Sequence, residues 1–385
     1  MNPLSRLAAL PHAEKQDRGI LYTPAEILQQ PATWQTTWRL FSEVRSELAH
    51  FLQSTHDERW TVFLVGAGTS DYIGRSLAGL LRQRWRTEVL AVASTDLLAG
   101  RDDLLIDGKN YLWISFSRSG DSPEGVAVLE QALASCPNVK HLVVSCNAKG
   151  RMVQLARENS DVTAVVLDDA VNDRSLAMTS SFTNMLLFGQ ALAYLWEPGD
   201  FSATLEQMTA AAEYLLEKGS HLAHEIASQR NKLACFVGAG GLAGAAKESS
   251  LKLTELTGGR LVALAETTLG LRHGPMSALN RETVFAAYIA GDERQRLYDL
   301  DLLREIRAKD VVQTIVSVGA EESAADHSLY CDAFKGIADG YRPAVDVIFG
   351  QMLGLFSSLE LGLKPDAPSP SGVISRVVPP FTIYP

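Results

Sequence analysis

The feature that most constrains the fold is a four-residue sequence, Val-Gly-Ala-Gly, that occurs twice, each time at the end of an apolar run. It begins at Val65 and again at Val237, 172 residues later, a separation of about one domain length. Around each copy, short apolar runs alternate with amphipathic stretches, a pattern typical of a parallel sheet covered by helices on both faces. The sequence therefore predicts an internal duplication of one α/β unit.

The order of these patterns divides the 385 residues into five segments. We predict an α/β protein with two domains, each a parallel sheet flanked by helices, and a helical arm before them. The predicted segments are an N-terminal helical arm (1–59), a first sheet domain (60–200), a helical connector (201–232), a second sheet domain (233–363) and a carboxy-terminal tail (364–385).

Composition narrows the choice of partners. The formal net charge is −10 and the pI is about 5.4, which disfavours nucleic acid and anionic membranes as partners. The longest apolar stretch, 185–196, is too short to span a bilayer, and the amino terminus lacks a signal-peptide core. Four widely spaced cysteines suit a reducing compartment. We expect a soluble, cytoplasmic protein that binds neither nucleic acid nor a membrane.

The first glycine-rich loop runs from Gly66 to Ser70, between a predicted strand and a predicted helix. Glycines at such a place let the backbone approach a ligand, and the N–H groups at the helix start favour an anion. The loop is not a dinucleotide fingerprint, because Asp71 replaces the third glycine, and it lacks the Lys of a Walker A loop. Two interpretations stay open here, an anion site and a tight strand-to-helix turn.

A second loop carries three hydroxyl groups around a glycine, at Ser117, Ser119 and Ser122. Ser122 by itself fits a helix N-cap, but one N-cap does not require the other two serines. Several neutral donors beside backbone N–H groups suit a phosphate that is held without being hydrolysed. The corresponding loop of the second unit, after Ile289, reads Ala-Gly-Asp-Glu-Arg and has no serine. We therefore predict one phosphate site per chain.

Two further clusters carry titratable side chains. Glu248, Lys252 and Glu255 share one helix face, which fits either a surface ion-pair stripe or a site. His273 precedes Gly-Pro on a sharp turn, and a lone histidine there is either an ordinary surface residue or a catalytic one. The eight histidines are scattered, with no HxH or HExxH pattern, so we predict no metal.

Taken in this order, the motifs resemble the tandem SIS-domain sugar isomerases, a family that includes the isomerase half of glucosamine-6-phosphate synthase. The resemblance covers residue 61 to the carboxy terminus and implies two SIS domains, each a flavodoxin-like three-layer sandwich. Residues 178–181, 299–303 and 370–378 are similar to those of bacterial galactosamine-6-phosphate deaminase/isomerases, formerly named tagatose-6-phosphate ketose/aldose isomerases.

The resemblance also implies a role for each motif residue. Glu255 would move a proton between C1 and C2 of the sugar. His273 would assist ring opening in the neighbouring subunit, which implies a homodimer. The residues that would hold the 6-phosphate are Thr69, Ser70, Ser117, Ser119 and Ser122. Those that would line the sugar pocket, closed by the tail, are Gly68, Asn147, Glu248, Lys252 and Arg376, with Arg376 in place of the synthase's tail lysine.

The implied activity is deamination and isomerisation of galactosamine 6-phosphate to tagatose 6-phosphate and ammonia, in amino-sugar catabolism and without a cofactor. The synthase's glutamine-hydrolysing domain has no counterpart in this sequence, so no ammonia is channelled and release is the favoured direction. Three alternatives stay open: a tagatose-6-phosphate ketose/aldose isomerase without deamination, a glucosamine-6-phosphate deaminase, and a sugar-phosphate sensor. A sensor would not need Glu255 together with His273.

Overall fold

The structure, a computed structural model, describes residues 1–57, 59–196, 199, 201–369 and 371–384. Asp200, the predicted end of the first sheet domain, and Pro370 of the tail motif lie outside the described residues. The chain forms two compact units, and the five predicted segments remain a prediction. The first sheet unit consists of Thr33–Asn172, Ser180–Gly199 and Ile374–Pro385, and the second of Met1–Ala32, Asp173–Thr179 and Asp200–Val373.

Each unit contains one five-stranded parallel sheet. The strands of the first are β1 (Trp60–Gly66), β2 (Glu88–Ala93), β3 (Asn110–Ser117), β4 (Val139–Ser145) and β5 (Val162–Val166). The strands of the second are β6 (Leu233–Gly238), β7 (Val262–Thr267), β8 (Thr283–Tyr288), β9 (Thr314–Gly319) and β10 (His327–Tyr330).

Helices flank these strands, as the amphipathic stretches predict. In chain order they are α1 (Pro3–Ala8), α2 (His12–Arg18), α3 (Thr23–Leu28), α4 (Gln30–Phe51), α5 (Thr69–Trp85), α6 (Ser94–Gly100), α7 (Pro123–Ser135), α8 (Arg151–Glu158), α9 (Ser180–Ala191), α10 (Phe201–Tyr214), α11 (Ser220–Ser228), α12 (Leu242–Leu256), α13 (Glu293–Lys309) and α14 (Pro343–Glu360).

The two sheets repeat one strand order. The first sheet runs β2-β1-β3-β4-β5, and the second, read in the same direction, runs β7-β6-β8-β9-β10. The two Val-Gly-Ala-Gly motifs end β1 and β6, and their last glycines, Gly68 and Gly240, both have a φ of 54°, a left-handed value that glycine adopts without strain. The predicted duplication and the α/β fold class are confirmed.

This order determines where a ligand binds. After β1 the chain adds β2 on one side, then crosses to add β3 on the other. Ligands of open parallel sheets bind at the carboxyl ends of the strands, where the order reverses in this way. In the first sheet unit that position lies beyond the ends of β1 and β3, at Gly66 and Ser117, where the two predicted anion loops begin.

Buried polar pairs anchor helix α4 within the first sheet unit. Helix α9 is buried along its whole length. From α4, the indole N–H of Trp34 donates to Thr183 Oγ1 at 3.1 Å, and Thr37 Oγ1 donates to Asn184 Oδ1 at 2.7 Å. These bonds satisfy polar groups that would otherwise be buried without a partner, at a cost of about 1–3 kcal/mol each.

No helix of the described ranges is both long enough and apolar enough to cross a membrane.

Candidate functional site

The loop between β3 and α7, here called the serine loop (Ser117–Ser122), is folded back on itself by its own hydroxyl groups. Ser117 Oγ accepts a hydrogen bond from the Gly120 N–H at 3.0 Å, and Ser119 Oγ accepts one from the Asp121 N–H at 3.2 Å. Gly120 has a φ of 66°, in the left-handed region. The loop thus holds three hydroxyls and two backbone N–H groups in one short turn at the start of a helix, the arrangement that binds anions.

Ser122 occupies the N-cap position of α7, yet its hydroxyl makes no capping hydrogen bond to the helix. The helix has Pro123 at its first position, so one of its free N–H groups is missing in any case. The interpretation of Ser122 as a plain N-cap therefore accounts for its position but not for its hydroxyl. That hydroxyl remains a candidate phosphate donor.

Asn147, in the loop after β4, contacts the backbone of the serine loop. Its Nδ2 donates to the Ser119 carbonyl at 2.8 Å and to Asp121 Oδ2 at 3.3 Å, while its Oδ1 accepts from the Lys149 N–H at 3.0 Å. All the hydrogen-bonding capacity described for this amide serves loop geometry. Asn147 is therefore placed to hold the serine loop in shape, a role that the sequence did not indicate.

Asp121 and Gly150 complete this brace. Asp121 Oδ1 accepts from the N–H of Arg151 at 2.7 Å, at the first residue of α8. A Cβ atom on Gly150 would lie 2.6 Å from the Ser119 carbonyl oxygen, closer than real Cβ atoms come, so only glycine fits there. Contacts with the loop between β4 and α8 thus hold the serine loop in a fixed shape. This lowers the entropy cost of ordering the serine loop around a ligand.

We predict that Asn147→Ala raises the dissociation constant of inorganic phosphate about tenfold. The change removes two donated hydrogen bonds whose net worth is about 1–2 kcal/mol together. Isothermal titration of both proteins with phosphate measures it. Asn159→Ala is the matched control, because Asn159 makes a similar side-chain bond, to the Leu155 carbonyl at the far end of α8. Equal dissociation constants in wild type and Asn147→Ala would contradict the bracing role.

The glycine-rich loop after β1 leads into the long helix α5. Gly68 is the N-cap of α5, and Thr69 and Ser70 lie in its first turn, both buried. The N-terminus of this helix carries a partial positive charge. Of the two interpretations left open by the sequence, the turn is present, and the helix start also meets the requirements of an anion site.

Arg118, which the sequence analysis passed over, lies buried inside the serine loop. One of its guanidinium nitrogens donates to the backbone carbonyl of Arg376 at 2.5 Å, and Arg376 in turn donates to Asn172 Oδ1 at 2.7 Å. The tail is thus tied to the serine loop by a charged donor. An arginine amid serines was the available signal, but its partner is 258 residues away.

In the second sheet unit, Glu248, Lys252 and Glu255 form a charged cluster on α12. Lys252 Nζ lies 3.3 Å from Glu248 Oε1 and 2.5 Å from Glu255 Oε2. The side chains of Glu248 and Lys252 are 0% exposed and that of Glu255 is 22% exposed. The surface-stripe alternative is therefore wrong, and of the three only Glu255 has a carboxylate that solvent or a ligand can reach.

Two carboxylates control the charge of Lys252. Burial lowers the pKa of this lysine, but the charges of Glu248 and Glu255 and their hydrogen bonds outweigh it, so the pKa is raised above its ordinary value. Lys252 is therefore an ammonium at neutral pH, and it stabilises the negative charge on both partners. Of the three side chains, Glu255 is the one that solvent reaches.

His273 is exposed at the surface of the second sheet unit. It follows a single turn of 3₁₀-helix, where its N–H donates to the Gly270 carbonyl at 2.9 Å, and Gly274 after it has a φ of 123°. The neighbouring Arg272 is held by Glu305 at 2.7 Å. The turn therefore presents the imidazole outward while its backbone is fixed.

The predicted site residues thus fall into two groups, one in each unit. The first sheet unit contains Gly68, Thr69, Ser70, Ser117, Ser119, Ser122, Asn147 and Arg376, and the second contains Glu248, Lys252, Glu255 and His273. Within the described ranges, no three His, Cys, Asp or Glu side chains are grouped as a metal site requires, and a metal-free site remains a prediction.

Comparison with known proteins finds relatives that match nearly the whole chain. The D-galactosamine-6-phosphate deaminase AgaS of Escherichia coli is 33% identical over 369 residues, 94% of this chain and 96% of that one. A Streptomyces coelicolor protein that shares the AgaS designation is 37% identical over 376 residues, 96% of both. The crystal structure of tagatose-6-phosphate ketose/aldose isomerase from Escherichia coli matches with a TM-score of 0.83 and 31% identity, covering 94% of this chain and 96% of that one. No family model matches the chain.

Proposed function

Because this chain belongs to the family of D-galactosamine-6-phosphate deaminase AgaS, we propose that it converts galactosamine 6-phosphate to tagatose 6-phosphate and ammonium. The observation that carries the proposal is the buried Glu248–Lys252–Glu255 cluster, which exposes one carboxylate base beside a fixed ammonium. A sugar-phosphate sensor has no use for such a base. We place the reaction in the cytoplasm, in amino-sugar catabolism.

The proposed chemistry needs one base and water. After the ring opens, Glu255 removes the proton from C2 of the open-chain aldehyde, and the electron pair forms a C1–C2 double bond. The C1=O π pair moves to O1, which takes a proton from the substrate's ammonium group, so that the product is an enolamine with a hydroxyl on C1. The same carboxyl returns the proton to C1, which leaves C1 as a CH₂OH group and C2 as a ketimine. Water adds at C2 and ammonia leaves, so that a ketose 6-phosphate remains. General base catalysis by a positioned side chain contributes about 10²–10⁴-fold to such a step.

Phosphate binding is assigned to the first sheet unit. We propose that the 6-phosphate accepts hydrogen bonds from Thr69, Ser70, Ser117, Ser119 and Ser122. These neutral donors beside helix N-termini suit a dianion in a chain whose net charge is −10. Gly68 and Arg376 are proposed to contact the sugar, with the tail closing over it, a role that the Arg118 bond to the Arg376 carbonyl supports.

We further propose that the chain acts as a homodimer in which His273 assists ring opening in the neighbouring subunit's site. The support is its exposure on a rigid turn of its own unit. Opening the pyranose ring requires a proton to move between O5 and the C1 hydroxyl, which an imidazole can do near neutral pH.

One observation favours a second candidate. A protein of 31% identity and the same fold is named tagatose-6-phosphate ketose/aldose isomerase. Plain isomerisation moves a proton between C1 and C2 in the same way, so Glu255 serves both reactions. The difference is whether C2 of the aldose carries an amine or a hydroxyl, and only the amine releases ammonium.

The deciding experiment offers purified protein galactosamine 6-phosphate, glucosamine 6-phosphate and tagatose 6-phosphate in parallel. Ammonium is followed by a coupled assay and the sugar phosphates by chromatography. We expect ammonium and tagatose 6-phosphate from the galacto compound. Ammonium from the gluco compound alone would make the chain a glucosamine-6-phosphate deaminase. Conversion of tagatose 6-phosphate to an aldose phosphate without ammonium from either amino sugar would overturn deamination and leave the isomerase.

A further inference from the structure

A cleft of about 270 Å³ lies in the second sheet unit, where α1 and the end of α2 meet α11 and the C-terminal end of α14. None of its lining residues was assigned to the reaction proposed above. Pockets that bind small molecules have volumes of about 300–1,000 Å³. The cleft is close to the lower end of this range, so it has room for a small metabolite and not only for a few water molecules.

Half of the residues that line the cleft are apolar. Pro3 and Leu7 come from α1, and Phe356 and Leu359 come from α14. The first three are buried, and Leu359 is partly exposed. The imidazole of His224, from α11, lies nearly perpendicular to the Phe356 ring, with the ring centroids 5.2 Å apart. This part of the lining favours a ligand that has carbon-bound surface to remove from water.

The rest of the lining is polar and carries an excess of positive charge. Within the part of the chain that the structure describes, the guanidinium of Arg6 has no hydrogen bond or ion pair. Arg18 pairs with Glu14 at 3.7 Å, but both side chains are more than a third exposed, and such pairs are weak. The carboxylate in the lining, that of Glu360, lies 3.9 Å from Arg230. Two guanidiniums are therefore available to a ligand in a chain whose net charge is −10.

This combination of side chains suits an organic phosphate. A guanidinium presents a planar fork of N–H donors that matches two oxygens of a phosphate, and two guanidiniums match its double negative charge. The carboxylate of Glu360 accepts hydrogen bonds but donates none, so a ligand beside it must carry donors such as hydroxyl groups. Inorganic phosphate has no carbon-bound surface for the apolar part of the lining. A phosphate ester of a polyhydroxy compound meets all three requirements.

We infer that the cleft is a second small-molecule site, which binds a phosphate monoester that carries hydroxyl groups. Arg6 and Arg18 bind the phosphate, Glu360 accepts hydrogen bonds from the hydroxyls, and the apolar side chains of α1 and α14 cover the carbon atoms. Hexose phosphates and nucleoside monophosphates share this chemistry, and the experiment below distinguishes them. The inference is independent of the reaction proposed above.

The test is equilibrium dialysis of the whole protein against radiolabelled glucose 6-phosphate and, separately, adenosine 5′-monophosphate. Wild type is compared with the double variant Arg6→Gln, Arg18→Gln. We expect at least one of the two ligands to occupy one more site per chain on wild type. The reason is that loss of two charge-assisted contacts raises the dissociation constant at the cleft by about 100-fold or more. The ligand that shows this difference identifies the class, and equal binding to both proteins for both ligands overturns the inference.

The matched control is the double variant Arg281→Gln, Arg304→Gln, which removes two guanidiniums of the same unit that do not line the cleft. Both arginine side chains are 63% exposed and pair with surface aspartates. This variant should bind both ligands as wild type does. A site lost in both double variants would show that net charge alone is responsible and would refute a site at the cleft.

Hydrogen exchange of the wild-type protein locates the bound ligand without any substitution, so it decides the question even where a variant does not fold. At a saturating concentration of the ligand, we expect slower exchange at the amides of α1 and at those of 356–360 in α14. Protection confined to the serine loop would place the ligand at the proposed phosphate site and would contradict the inference.

Discussion

Glu255→Gln should reduce ammonium release from galactosamine 6-phosphate by about 10²–10⁴-fold, the range that a positioned general base contributes. Glutamine has nearly the same shape as glutamate and keeps one oxygen that can accept from the Lys252 ammonium, 2.5 Å from Glu255 Oε2 in the wild type. It has no carboxylate to take the C2 proton. The loss is therefore expected in kcat, while KM changes little.

The matched control is Glu282→Gln, which removes a surface carboxylate of the same unit that pairs only with Lys232 in the described structure, at 2.7 Å with both side chains more than half exposed. Its activity should equal that of the wild type. Initial rates of ammonium release across substrate concentration separate kcat from KM. Wild-type rates in Glu255→Gln would remove Glu255 from the mechanism and shift attention to another base.

Lys252→Met should lower the free energy of unfolding by about 3–5 kcal/mol, the cost of removing one partner from a buried ion pair. Methionine fills a similar volume but carries no charge. The fully buried carboxylate of Glu248 and the largely buried carboxylate of Glu255 then lose the ammonium of Lys252 beside them. Urea unfolding of the whole protein measures the change, with hydrogen exchange at the α12 amides as the readout for the second sheet unit.

The same cluster predicts a pH dependence. The pKa of Lys252 is raised in the folded protein, because Glu248 and Glu255 outweigh the lowering effect of burial. A raised pKa means that the folded state binds this proton more tightly than the unfolded state does. The resulting stability is fully present below the ordinary lysine pKa, about 10.4, and is lost as the pH rises through the folded value. Lys252→Met should lack this alkaline loss, which a comparison of urea midpoints at pH 8 and above 10 detects.

Two variants control for this result. Lys247→Met alters a lysine on the same helix that is only partly buried, and it should leave stability within about 0.5 kcal/mol of wild type. Glu248→Gln combined with Lys252→Met removes one of the two carboxylates that Lys252→Met leaves without the ammonium. The double variant should recover part of the lost free energy of unfolding. A double variant as unstable as the sum of the single changes would show that the pair does not interact.

Much of the architecture follows from local sequence. Short apolar runs between amphipathic stretches predict a parallel sheet because only strands buried on both faces are apolar throughout. The repeated Val-Gly-Ala-Gly motif predicts the duplication because the same strand-to-helix turn requires the same residues in both units. The last glycines of the two copies, Gly68 and Gly240, have the same left-handed φ of 54°. The serine loop is recognisable for the same reason: its hydroxyls bond to N–H groups two or three residues away.

The burial of Glu248 and Lys252 was decided by tertiary structure. Helical spacing puts both on one face of α12 but does not say what covers that face. The cover is α14, which packs closely because it carries glycines: a Cβ on Gly350 would meet the Ser249 side chain at 2.3 Å, and one on Gly354 would meet the Lys252 carbonyl oxygen at 3.2 Å. No pattern local to α12 indicates glycines about a hundred residues later.

The roles of Arg118, Asn147 and Asp339 were likewise decided only by the fold. Arg118 contacts the tail 258 residues away, Asn147 contacts the serine loop from the loop after β4, and Asp339 accepts a hydrogen bond from the N–H of Gly291, 48 residues before it. Sequence determines what depends on neighbours along the chain: the repeats, the turns and the helix starts. Which polar groups become partners depends on strands and helices that are brought together by the burial of apolar surface. Because this hydrophobic driving force is not directional, the sequence around a polar residue does not indicate its distant partner.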